Sequence, residues 1–223
     1  LSFHCWLAAL ALGTAAVAMP RVAPVAASYL PQADLISSSL PWRPRPVAEA
    51  WQALLHSPPE SRVTARWALA VSLIQAGKGA EAFGVLERLS MDDPNIKDDP
   101  AFRLARGMAL VQLSRRTEAV AALDVPQLQG VAPACLWRMR ALSEDGHYEA
   151  ALAQAQCGMP ALRKLSASDR PAFILPLTQA AAATGRYGFA SSWLRLLPDG
   201  LMAANLVRAQ AQIGRASCRE RVS

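Results

Sequence analysis

An all-α fold made of stacked helix-turn-helix repeats is predicted for this 223-residue chain on three observations. Alanine fills 45 positions, whereas aromatic residues make up 6% of the chain and β-branched residues are few, a balance that favours helices over strands. Apolar residues recur at helical spacing between short breaks, and four of those breaks share one form. With 52% hydrophobic and 18% charged residues, the chain can bury enough apolar surface to offset its ordering entropy, which argues against disorder over most of its length.

Residues 5–19 read CWLAALALGTAAVAM, an apolar run interrupted only by Gly13 and Thr14. It is short for a membrane span, which needs about 20 residues, and suits the core of a secretory signal. Ala16-Val17-Ala18 and Val25-Ala26-Ala27 are candidate cleavage sites, so residues 1–27 are expected to be a signal peptide, although no basic segment precedes the run. An ordinary buried helix is the competing reading. At the other end, residues 215–223 (RASCRERVS) break abruptly from the Ala/Leu pattern and look like a translated adaptor, a non-native tail on a chain cut after Gly214. The leader holds one positive charge and the tail a net of two, leaving +3 of the +6 between them. That is ordinary for solubility and provides no basic stripe for nucleic acid.

Residues 28–46 contain Pro31, Pro41, Pro44 and Pro46, a density that bars helix and favours an extended linker or surface arm. Helical pattern begins at Val47, where Val47, Ala50, Trp51, Leu54 and Leu55 share one face until Pro58 and Pro59 stop the helix. Further helices are expected over 62–76, 80–89, 100–113, 117–123, 134–144, 148–156, 172–184, 189–196 and 201–213. The connections are short, as antiparallel neighbours require.

Four turns share a form: Gly77-Lys-Gly-Ala-Glu-Ala82, Ser114-Arg-Arg-Thr-Glu-Ala119, Gly146-His-Tyr-Glu-Ala-Ala151 and Gly185-Arg-Tyr-Gly-Phe-Ala190. Their closing alanines are 37, 32 and 39 residues apart. A glycine before a new helix suits the left-handed cap of the previous one, and the alanine five residues later lets two helices cross closely. Twelve residues before each closing alanine stand Ala70, Gly107, Met139 and Thr178, so the first two crossings are expected to be tighter than the last two.

Leu69, Ala70, Leu73, Gly77, Ala82, Leu86, Leu89 and Pro94 fall in a pattern that resembles the tetratricopeptide repeat, a helix-turn-helix unit of about 34 residues. Gly146 with Tyr148, and Gly185 with Tyr187, repeat its turn signature. The resemblance covers residues 62–214, with 47–56 as a preceding second helix and 201–214 opening a further unit. It implies a right-handed α-solenoid, TPR-like, with about four full repeats plus partial units at both ends of a 47–214 domain. Strict alignment of the second unit puts Arg103 and Arg106 on core positions, while Leu104, Met108 and Val111 form a better apolar stripe. In the fourth unit residues 180–183 are all alanine and give little bulk to pack.

The motifs of catalysis are missing from the sequence: it has no H-E-x-x-H, C-x-x-C, G-x-S-x-G or phosphate loop. Of three histidines, His4 lies in the leader, His56 at a helix end where the dipole favours a cation, and His147 in a turn. The acidic stretch of residues 91–100 lacks calcium-loop spacing; Asp99 before Pro100 reads as a helix cap instead. No metal or cofactor is expected. Cys135, near the start of one helix, and Cys157, near the end of the next, oppose each other in an antiparallel pair, where they either form a disulfide or are two small buried residues.

The tetratricopeptide resemblance implies a concave groove lined by the first helices. Its candidate lining is Thr64, Trp67, Val71, Ile74 and Gln75, then Leu104, Met108 and Gln112, then Leu136, Arg140 and Glu144, then Leu175 and Gln179. The alternative is that much of this stripe is interhelix core or is covered by the arm with Trp42. The set lacks the Lys, Arg and Asn cluster that clamps a C-terminal carboxylate in the chaperone-binding class, so an apolar or amphipathic protein segment is the expected ligand. The leading expectation is an exported, periplasmic scaffold of the bacterial cell envelope, without catalysis and without a membrane span in the mature chain. The alternative is the α-superhelical front part of a larger envelope enzyme, similar to lytic transglycosylases, whose catalytic domain would follow Gly214. A third reading places the chain in the cytoplasm, its apolar N-terminus being a helix.

Overall fold

The computed structural model describes residues 40–197, 205 and 207–209, and among them nine α-helices follow one another. These are α1 (Val47–Leu55), α2 (Arg62–Gln75), α3 (Gly79–Asp92), α4 (Pro100–Gln112), α5 (Arg116–Leu123), α6 (Ala132–Glu144), α7 (Tyr148–Lys164), α8 (Pro171–Ala183) and α9 (Tyr187–Leu194). The leader, residues 28–39, the tail and most of the helix expected over 201–213 lie outside the described residues. No described helix is long and apolar enough to cross a membrane.

Every helix-turn-helix reverses through the same device. Gly77, Ser114, Gly146 and Gly185 take φ of 71°, 61°, 82° and 74°, the left-handed conformation expected from the four turns. At each, two backbone bonds close the helix end. Lys78 N–H donates to Leu73 O and Gly77 N–H to Ile74 O; the pairs Arg115–Leu110 with Ser114–Val111, His147–Leu142 with Gly146–Ser143, and Arg186–Ala181 with Gly185–Ala182 repeat this. This is the Schellman arrangement, which satisfies carbonyls the helix would leave orphaned. The closing alanines Ala82, Ala119, Ala151 and Ala190 are then wholly buried at the start of the returning helix.

Pairs α2/α3, α4/α5, α6/α7 and α8/α9 pack in sequence, each second helix also lies on the next first helix, and α2, α4, α6 and α8 contact one another in a row. The result is a stacked, solenoid-like array. Missing side chains permit several close approaches. A Cβ on Gly79 would stand 2.5 Å from Gln112 Cβ, and one on Gly107 would stand 2.5 Å from Leu123 Cγ. Leu104, Met108 and Val111 are buried while Arg103 and Arg106 are half-buried, which fixes the register of α4 on the apolar stripe. In α8, Ala180 and Ala181 are both fully buried.

Caps and turns carry the acidic stretch. Asp99 Oδ1 accepts from Ala101 N–H at 2.8 Å and Phe102 N–H at 3.3 Å, with Pro100 at the first helical position. Asp93 likewise accepts from Asn95 N–H at 3.1 Å, after α3 has ended.

Helix α7 departs most from expectation, running to Lys164 rather than stopping at Gln156. Gly158 lets the helix approach α6 closely, since a Cβ there would lie 3.1 Å from Leu136 Cα. One residue earlier, Cys157 joins Cys135 in a disulfide with Cα atoms 5.8 Å apart. A loop of 22 residues closed this way contributes about 3 kcal/mol in the chain-entropy account. Pro160 forgoes one helical hydrogen bond, and burial of Ala161 and Leu162 beyond it offsets that loss.

The buried Arg138 ties three helices. Its Nη2 donates to the Leu123 carbonyl at the end of α5 and Nη1 to Gln154 Oε1 of α7 at 3.2 Å. Burial pushes this guanidinium below its ordinary pKa, and the carboxylate of Asp124 opposes that shift.

Ser114 alone among the four turn residues carries a side chain in the left-handed region. Ser114→Gly is expected to raise stability by about 0.5–1 kcal/mol, the relieved strain exceeding the added chain entropy. Denaturant unfolding of the two proteins measures it, and a less stable glycine variant would contradict this account of the turn.

Candidate protein-interaction surface

The row of first helices divides the groove candidates into a covered part and an open part. In the first unit Trp67, Val71 and Ile74 are fully buried, and Met108 follows in the second. They belong to the interhelix core and offer no open surface, because flanking helices and the N-terminal arm close over them. Residues 40–46 lie along α2. There Trp67 Nε1 donates to Pro41 O at 2.9 Å, and the Trp42 ring meets Trp67 edge-on at 5.5 Å. Arg45 N–H donates to Ser72 Oγ at 2.9 Å. The proline-rich stretch expected on the surface thus places Trp42, 9% exposed, in the core.

Gln112 is a clamp between units. Its Nε2 donates to Ile74 O at 2.8 Å, and its side chain passes over Gly79, where no Cβ stands in the way. Gln75 is half-buried and Thr64 exposed.

Over α6 and α8 the closure is less complete, with Arg140 and Glu144 half-buried and Gln179 exposed. Arg140 lies over the rings of Trp137 and Phe173, 5.7 and 5.4 Å from their centroids, and its Nε donates to Glu144 Oε1 at 2.7 Å. Arg116, from α5, stands 3.4 Å from Glu144 Oε2. The aromatic faces hold the guanidinium by cation–π attraction, and Glu144 fixes its direction. Leu136 is buried beneath, Leu175 half-buried on α8, and Gln179 exposed. This patch is amphipathic. Sequence reasoning named Arg140, Glu144, Leu175 and Gln179 but missed Arg116 and Phe173. The i, i+4 spacing displays the Arg140–Glu144 pair, whereas Arg116 arrives from another helix and leaves no local signal.

Two clefts flank the array. One of about 380 Å³ lies between α1 and α2, lined by Arg45, Ala50, Ala53, His56, Thr64 and Ala68. The other, about 220 Å³, has Glu87, Ser90, Lys97, Phe102, Arg103 and Arg106 around it. Its arginines are engaged: Arg106 Nε donates to Glu87 at 3.1 Å, and Arg103 Nε donates to the Lys97 carbonyl at 2.5 Å. His56 Nδ1 donates to the Gln52 carbonyl at 2.8 Å as a helix-end cap, and His147 Nε2 lies 3.4 Å from Asp145. Among the described residues no group of three His, Cys, Asp or Glu could hold a metal ion. No protein-family model, curated protein or solved structure matches the chain.

Core placement of Trp67 makes a measurable claim. Trp67→Ala is expected to cost about 3–5 kcal/mol of unfolding free energy. A double-mutant cycle with Trp42→Ala should return about 0.5–1.5 kcal/mol of coupling; a tryptophan free to serve a partner would show neither.

Proposed function

We propose that the chain is a tetratricopeptide-like scaffold of the bacterial cell envelope that holds an apolar or amphipathic segment of another protein, without chemistry of its own. The single observation that carries this reading is the row of first helices, α2, α4, α6 and α8, packed side by side. Such a row gives a partner a continuous surface assembled from every repeat, rather than one enclosed pocket. The arm and the core close its N-terminal part, so the ligand lies over α6 and α8. There Leu175 supplies apolar contact, Gln179 an amide, and the Arg140–Glu144–Arg116 network oriented charge. Arginine stacked on aromatic rings is typical of residues that dominate binding energy at interfaces.

Affinity capture from envelope extract tests the surface. Arg140→Glu and Gln179→Glu are expected to weaken retention of a specific protein at least tenfold, whereas Ala153→Glu on the exposed side of α7 leaves it unchanged. Equal capture by all four chains sinks the assignment.

Export is part of the proposal. The Cys135–Cys157 disulfide supports it, since such bridges persist in oxidising compartments. Residues 1–45 fused to a reporter enzyme that is active only after export should give signal in a bacterial host. A silent, intact fusion would return the chain to the cytoplasm.

A further inference from the structure

We propose that the face of α2 around Trp67 and Ser72 is a docking site for an extended, proline-flanked aromatic segment, and that residues 40–46 are its exchangeable resident. This goes beyond the surface on α6 and α8 and does not depend on it.

The arm reads Leu40-Pro-Trp-Arg-Pro-Arg-Pro46, and its prolines preset an extended backbone; Pro46 has φ −49° and ψ 133°. In polyproline geometry, with three residues per turn, positions 42 and 45 share one side. Those two positions touch α2: the Trp42 ring meets Trp67, and the Arg45 N–H reaches Ser72 Oγ. Pro41 adds a carbonyl to the Trp67 indole N–H. The site therefore reads a proline carbonyl, an aromatic ring after it, and a backbone N–H three residues further on.

The receptor side is fixed by α2 itself. Ser72 Oγ donates its proton to Ala68 O at 2.7 Å, which leaves its lone pairs facing the incoming amide. Trp67 is held fully buried. Ser72 is oriented by its own helix, while the Trp67 indole presents its N–H and its ring to the arm.

The fit of the resident is incomplete. Trp42 Nε1 is buried, and no acceptor among the described residues reaches it. An unpartnered buried donor carries a desolvation penalty that offsets part of what the ring contributes. Two hydrogen bonds, the Trp42 ring and the packing of Leu40 on the core hold the arm, reinforced by a tether whose effective concentration is on the order of millimolar. A segment that presents the same pattern at millimolar concentration displaces it.

The test uses the full chain and a synthetic peptide of residues 38–47. Fluorescence anisotropy of the labelled peptide should show at least tenfold tighter binding to the Trp42→Ala chain than to wild type, and a peptide with alanine in place of its tryptophan should bind neither. In the ¹⁵N-labelled wild-type chain, millimolar unlabelled peptide should speed hydrogen exchange at the Arg45 amide at least tenfold. The exchange measurement needs no variant. Unchanged Arg45 exchange, or equal peptide affinity for the two chains, overturns the proposal.

Discussion

A residue in the left-handed conformation closes α2, α4, α6 and α8, and the rest of the architecture depends on it. Because two backbone hydrogen bonds finish the helix within that residue and its successor, the chain reverses with almost no loop. The returning helix then begins against the one it left, and only a small side chain fits at the first contact. That is why Ala82, Ala119, Ala151 and Ala190 are buried completely. Pairs formed this way present an apolar side to the next pair, so stacking follows from the turn.

Where two units meet, polar groups are satisfied across the seam. Gln112 reaches the Ile74 carbonyl over Gly79, and Arg138 reaches the Leu123 carbonyl from the following unit. Each replaces water at the end of a helix that the neighbour has buried. The third pair, with the longest helix of the described residues, adds a covalent tie between Cys135 and Cys157. Arm and aromatic core close the surface over α2, while α6 and α8 keep charge and amide groups at the surface. The N-terminal half of the described array thus has its own segment in place over α2.

Helices and turns were legible because their signals are local. Spacing of apolar residues, Gly before a new helix, and Asp99 ahead of Pro100 each act within a few residues, and the ends of α1–α6, α8 and α9 fall within three residues of expectation. The end of α7 misled for a physical reason. Gly158 and Pro160 are punctuation in an isolated helix, but beside Leu136 and a disulfide the glycine is the contact and the proline is tolerated. Groove residues were legible only by position. Trp67, Val71, Ile74 and Met108 stand on the row of first helices, and nothing local tells whether neighbours close over them.

Alanine content, helical periodicity and the four turns determined by themselves that the chain folds as stacked antiparallel helices, since helix and turn formation depend on neighbours in sequence. Tertiary structure alone decided which side chains of the first-helix row are buried and which stay exposed. Trp42 on Trp67, Arg116 beside Glu144, and Cys135 bonded to Cys157 join residues between 22 and 28 positions apart. Burial at those sites depends on how whole helices and the arm come to lie against one another, a long-range packing outcome that no local pattern encodes.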